Sequence, residues 1–377
     1  MAKKRKAEPL SIPSPAAYLQ SPPRIAVILG SFAVIALPLV ILQFVDVDPT
    51  VRFTLSVAYA VLLGGTHFLI TLAVYGQSEN LRYFTSSTRN TLIYFVVPAS
   101  LLTLFFLISR LGLDKRQENW SLGLVLGWFL FTIAVRASDF FHVVRQSFGM
   151  LQLFKTQTAA TFPPWMRRAD NTFFVSMAGL QLLTAVRGMR TDHAVFEPDA
   201  LSLIGLAVVV ISLAAVLAGF VNAAGHSKQP RAIWVPLTYF LFQGASASLA
   251  AWRTEFYTAS LAMHYVEYHV IIYPRLFSSP LDPESRVDRV AGWVRRHKVV
   301  FYGALALLAC FVSRELWPAI ADRAGSPGAP WLLFNLLNGI FVTHYFIEAF
   351  IWKFREPYYR QSLGPLYFPQ RAPTTSV

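Results

Sequence analysis

Residues 201–221 read LSLIGLAVVVISLAAVLAGFV, from Leu201 to Val221, without one Asp, Glu, Lys or Arg. As a helix rising ~1.5 Å per residue, the run is about 31 Å long, which matches the hydrocarbon core of a bilayer. It is apolar on every face, so it has no side to offer to water. This segment predicts a transmembrane helix.

Comparable runs recur from end to end. Ten spans are predicted: Ile25 to Val45, Phe53 to Tyr75, Thr91 to Ser109, Ser121 to Val144, Thr172 to Val186, Leu201 to Val221, Ile233 to Ala250, Thr254 to Tyr273, Val299 to Trp317 and Trp331 to Trp352. The break between the seventh and eighth rests on Trp252, Arg253, Thr254 and Glu255. The expected fold is all-α, a polytopic transmembrane bundle of about ten helices. Residues 1–23 form a basic, proline-rich tail, 24–353 the transmembrane domain and 354–377 a second tail. Composition agrees: 55% of residues are hydrophobic and only 14% charged, against roughly 25% charged in ordinary globular chains. A set of soluble domains is excluded. Cys310 is the only cysteine, which excludes an intramolecular disulfide or an iron–sulfur cluster.

The charge excess, 33 Lys+Arg against 20 Asp+Glu, is first a topology signal. With both termini in the cytoplasm, 23 of the 33 basic residues fall on the inner side, the positive-inside pattern. Lys3-Lys4-Arg5-Lys6 is then an orienting patch that meets anionic lipid, not a nucleic-acid site. The first apolar run lies too far from the start, and is too long, for a cleaved signal peptide. The expected location is a bacterial inner membrane. The long inner loops, about 145–171 and 275–298, suit amphipathic segments on the membrane face, with Phe162-Pro163-Pro164-Trp165 as a helix break.

Five of the eight histidines fall within or at the ends of spans: His67, His142, His264, His269 and His344. His193, His226 and His297 fall in loops. A buried polar group without a partner costs roughly 2–7 kcal/mol, so the five should face the interior. They occupy spans two, four, eight and ten, at one depth in the cytoplasmic half. Imidazoles brought to one height on facing helices are what a metal or haem site requires. Carboxylates accompany them: Asp139 three before His142, Glu267 three after His264, and Glu348 four after His344. Such neighbours orient ligating imidazoles or ligate directly. His67, His264 and His344 lead as ligands, followed by His269 and His142. His264 and His269 are five apart, about 140° round a regular helix, so both reach one ion only if it lies to one side or a π-bulge turns the helix.

Imidazole and carboxylate without thiolate suit iron, zinc or copper, and open coordination positions suit non-haem iron with dioxygen. No His-Glu-x-x-His zinc pair occurs. Two imidazoles could hold haem but would leave three unexplained. A dry site among membrane helices suits a lipophilic substrate, an isoprenoid or acyl chain. The expected activity is therefore a metal-dependent oxygenase or oxidoreductase, supplied by an electron-donor protein where one is needed. Two other classes use the same residues: a proton-coupled transporter, and a haem-binding electron carrier. A third is a structural subunit of a membrane complex. The layout of a lone early histidine, an acidic residue near another and a close late pair resembles polytopic bacterial carotenoid-cleaving, retinal-forming dioxygenases. That resemblance implies iron held by histidines from several helices, although the close pair there is four apart. The segments His264 to His269 and Thr343 to Lys353 also resemble uncharacterised histidine-rich bacterial membrane proteins, which implies no function.

Overall fold

A computed structural model describes residues 21–111, 121–158, 160–188, 196, 198–253, 256–313 and 336–368. Lys3 to Lys6, His193, Thr254 and Glu255 lie outside them, as do the ends of the ninth and tenth predicted spans at Trp317 and Trp331. All regular elements among the described residues are helical. They are α1 (Pro22–Ile41), α2 (residues 49–72), α3 (Ser78–Phe84), α4 (residues 88–111), α5 (Leu122–Gln157), α6 (Met166–Gly188) and α7 (Ala200–His226). Then follow α8 (Trp234–Trp252), α9 (Tyr257–Phe277), α10 (Arg286–Arg296), α11 (Lys298–Val312), α12 (Leu336–Ile351) and α13 (Pro357–Ser362).

Local chemistry sets the ends. Ser121, Asp199 and Ser285 cap α5, α7 and α10, each side-chain oxygen accepting from a backbone N–H three residues on. The Pro163-Pro164 stretch falls between Gln157, where α5 stops, and Met166, where α6 starts. The break predicted after Trp252 is also present, since α8 ends there and α9 begins at Tyr257.

Among the described residues, four helical stretches are long and apolar enough to cross a membrane: α1, Thr88–Ile108 of α4, α5 and α7. Their outer faces carry bare apolar side chains such as Val34, Leu122, Ile211 and Val221. Three further helices, α6, α8 and α9, have the length but carry polar side chains inward. Gln181 and Thr184, Gln243 and Ser246, and His264, Glu267 and Arg275 are all buried. These polar side chains face neighbouring helices rather than water.

Two boundaries differ from expectation. α5 runs on to Gln157, well past the predicted end at Val144. Its last turns are polar but packed: Lys155 is buried and donates to Asp170 of α6 at 2.7 Å. His142 therefore sits within this helix rather than at its inner end. The second tail also packs instead of trailing. Tyr359 and Tyr367 are fully buried, and the Tyr359 hydroxyl bonds that of Tyr94 in α4 at 2.6 Å.

Four of these helices pack in a closed circuit. α2 packs on α9 and on α12, and α5 packs on the same two helices. Each of the four contributes one histidine to the space they enclose.

Candidate metal centre

His67 enters from α2 just after a π-helical turn, Ala60–Gly65. A π turn is wider than an α turn and commonly re-aims a residue at a functional site. Gly64 and Gly65 let it pack closely. A Cβ on Gly64 would fall 2.9 Å from the Tyr265 ring of α9, and one on Gly65 would fall 2.7 Å from the Ala309 Cβ of α11. Thr66 donates its hydroxyl to the Leu62 carbonyl at 2.6 Å, adding a bond where the helical ladder changes step. α9, by contrast, is regular α-helix from Tyr257 to Phe277.

The imidazoles of His67, His264, His142 and His344 form a ring in that order. Neighbouring centroids are 4.8, 5.0, 5.1 and 4.5 Å apart, closing from His344 back to His67. One nitrogen from each lies within 4.8 Å of the other three, so the group could hold a metal ion. Two donors ~2.1 Å from one ion are ~3.4 Å apart at a tetrahedral angle and at most ~4.2 Å apart. The observed spacing exceeds that by about half an ångström, within the reach of a small ring rotation.

The nitrogens themselves point to a ligand. Both nitrogens of His67 and both of His264 are buried without a hydrogen-bond partner, and Nε2 of His142 and of His344 meets only the Glu348 carboxylate. An unsatisfied buried polar atom costs ~1–3 kcal/mol, so these four together rival the ~5–15 kcal/mol that holds a whole domain folded. A shared cation would satisfy the lone pairs at once.

The surroundings fit this reading at His344. Its Nδ1 is 2.6 Å from the Thr71 hydroxyl, which donates to the Tyr268 hydroxyl at 2.6 Å. A threonine has one hydroxyl proton. With that proton given to Tyr268, Thr71 can only accept from His344, which puts the imidazole proton on Nδ1 and leaves Nε2 bare. Glu348 completes the rim. Its Oε2 is 3.1 Å from Nε2 of His142 and 3.5 Å from Nε2 of His344, while Oε1 accepts from the Trp352 indole at 3.0 Å. It is placed to ligate alongside them.

The remaining predicted residues stand further back. His269 lies outside the ring, 6.3 Å from His67 between centroids, with Nε2 3.4 Å from the Thr66 hydroxyl. Without a π-bulge in α9, the spacing of five turns it away from His264. Glu267 faces away from the imidazoles into an amide pocket, where Gln146 of α5 donates at 3.3 Å and Gln243 of α8 donates to its other oxygen. Asp139 accepts from the Tyr345 hydroxyl at 2.6 Å, and the Tyr345 ring stacks on His142 at 4.3 Å. It reaches the centre through that tyrosine.

Sequence reasoning passed over Thr71, Gln146 and Trp352. Each follows a predicted site residue by four positions, after His67, His142 and Glu348 respectively. That spacing shares a helix face and could have flagged them.

Comparison with protein-family models, with curated proteins and with solved structures finds no match to this chain.

Proposed function

We propose that the protein is a multi-pass integral membrane metalloenzyme, a non-haem iron oxidoreductase or oxygenase acting on a lipophilic substrate such as an isoprenoid or acyl chain. The observation that carries this reading is the closed ring of four imidazoles, one from each of four helices, with the nitrogens of His67 and His264 left without a hydrogen-bond partner. His67, His142, His264 and His344 would hold the ion, and Glu348 would add the one carboxylate against it. Nitrogen donors with a single carboxylate suit iron, with copper and zinc as the other candidates. Bound iron would supply dioxygen activation or one-electron chemistry. The protein's own part is to orient His344 through Thr71, to hold Glu348 through Trp352, and to keep water out with Phe68, Tyr265 and Tyr345.

Haem fits the space less well. Neighbouring imidazoles meet at steep angles in ring contact, which leaves no flat slot between two of them. The setting favours a substrate that partitions into the bilayer, with a separate electron-donor protein where the reaction needs one, and gives no role to nucleic acid. The bacterial inner membrane suits the basic inner side.

Metal analysis of detergent-purified protein tests the reading. About one iron per chain is expected, lost in His264→Ala and His344→Ala. Less than ~0.3 iron, copper or zinc per chain, unchanged by those substitutions, would overturn it. A Soret band would replace iron by haem, and proton flux in liposomes without bound metal would replace the enzyme by a transporter.

A further inference from the structure

One side of α10 is fastened to the protein and the other is bare. On the fastened side, Asp288 accepts from the backbone N–H and the hydroxyl of Ser78 at the start of α3. Arg295 donates through Nε to the Leu276 carbonyl near the end of α9. The opposite side carries Arg286, Arg289, Val290, Trp293 and Arg296, all exposed. At ~100° per residue these five fall within about 120° of arc, with Arg289 and Arg296 along one edge and Val290 and Trp293 along the other. Arg286, Arg289, Val290 and Trp293 line an open groove of about 400 Å³.

The cations of this face are unspent. Arg89, Arg136 and Arg187 pair with Glu356, Asp139 and Asp199, whereas Arg286, Arg289 and Arg296 have no carboxylate partner among the described residues. Val290 and Trp293 beside them are 64% and 46% exposed. Guanidiniums next to a bare tryptophan and valine suit the headgroup layer of a bilayer, which offers phosphate to the first and acyl chain to the second. The neighbouring helix sets the level. Four residues after Arg296, α11 opens an outward apolar face with Val300, Leu307 and Phe311, which share one side of the helix. The arginines therefore stand at the edge of an apolar surface, where the phosphates of a bilayer lie.

We propose that the exposed face of α10 binds anionic phospholipid, with the phosphate held by Arg286 and Arg289 and with Val290 and Trp293 among the upper acyl chains. A guanidinium pairs with phosphate through two parallel hydrogen bonds. A zwitterionic headgroup also has a phosphate, but its own ammonium cancels the charge, so lipid with net negative charge is preferred. Bound lipid orders α10 beyond what Asp288 and Arg295 supply. The proposal rests on the chain's lying in a membrane and is independent of the metal.

The test places full-length protein in nanodiscs of phosphatidylcholine, or of an equal mixture of phosphatidylcholine and phosphatidylglycerol. Amide exchange is read in 286–296, with α7 as the reference. Phosphatidylglycerol should slow exchange in α10 by at least about fivefold, and Arg286→Gln/Arg289→Gln/Arg296→Gln should abolish that gain. Arg167→Gln/Arg168→Gln, which removes two exposed arginines of α6, should keep it. Equal exchange of the wild type in the two lipids would overturn the proposal without needing any variant. A gain that survives the triple variant would do the same, and so would one lost equally in the α6 pair, which would reduce it to the general pull of a basic surface. A gain reproduced by millimolar inorganic phosphate in phosphatidylcholine would make the groove a free-anion site and also overturn it. Protein that stays monodisperse without detergent or lipid would remove the membrane reading, and the proposal with it.

Discussion

Glu348 places its Oε2 3.1 Å from Nε2 of His142, joining α12 to α5 at the edge of the imidazole ring. The Trp352 indole holds the other oxygen from behind at 3.0 Å. The carboxylate is thus fixed on one side and faces two imidazoles on the other. Glu348→Gln keeps the size and removes the charge. Chelator competition should show metal affinity about 10–100-fold weaker. Unchanged affinity would reduce Glu348 to a partner of Trp352.

Single histidine substitutions should divide by geometry rather than by sequence order. His67→Ala, His142→Ala, His264→Ala and His344→Ala each open the ring, and each should leave well under half the wild-type metal content. His269→Ala should leave it unchanged. A metal content that falls with His269 but survives loss of His142 would restore the ranking expected from sequence.

Comparing those two rankings shows what the sequence could and could not reveal. That histidines from four separate helices meet in one place was legible, because buried imidazoles must find partners. Which of His264 and His269 faces inward was not, because the spacing of five left the choice to local helix geometry. The π turn that a shared site would need in α9 lies instead in α2, before His67. The length of α5 was hidden for another reason. Lys155 reads as solvated loop until Asp170 of α6 is known to face it. The tail with Tyr359 and Tyr367 gave no periodic signal, since both are held by contacts far away in sequence: the Tyr359 hydroxyl by Tyr94, and the Tyr367 hydroxyl by the Ile271 carbonyl.

Thr71 carries a prediction that separates orientation from bulk. Thr71→Val keeps the shape but removes the hydroxyl between His344 and Tyr268. With the imidazole proton left unpaired, stability should fall by ~1–3 kcal/mol in thermal unfolding, and metal should bind more weakly. Thr71→Ser should restore both. Valine and serine variants that behave alike would show that the hydroxyl orients nothing.

Asp288 gives the pH dependence. It anchors α10 by accepting from the backbone N–H and hydroxyl of Ser78 and from the Asp282 N–H. Burial acts to raise its pKa, but these donors outweigh it and hold the carboxyl below the usual range. A carboxylate with a depressed folded pKa adds stability above its unfolded value, ~3.9, and loses it as pH falls through the folded one. Amide exchange in 286–296 should therefore accelerate below about pH 4 relative to the bundle core, after correction for intrinsic rates. Asp288→Asn should show the faster exchange already at neutral pH. A segment equally protected in both proteins at neutral pH would mean that α10 is held by something else.

The approach of α2 to α11 should be as tightly constrained as the ring itself. A Cβ on Gly65 would lie 2.7 Å from that of Ala309, a fully buried residue. Two such carbons cannot occupy that spacing, and neither is the end of a flexible side chain, so one helix must shift. Overpacking of this kind costs ~1–3 kcal/mol. Because His67 follows two residues later, the shift should also reach the ring. Gly65→Ala should lower both the melting temperature and the metal content. Ala309→Gly removes the opposing carbon, so the double variant Gly65→Ala/Ala309→Gly should recover metal content beyond the sum of the single effects, a coupling that two independent sites would not show. A Gly65→Ala protein that melts and loads metal like the wild type would mean that the close contact does not position His67.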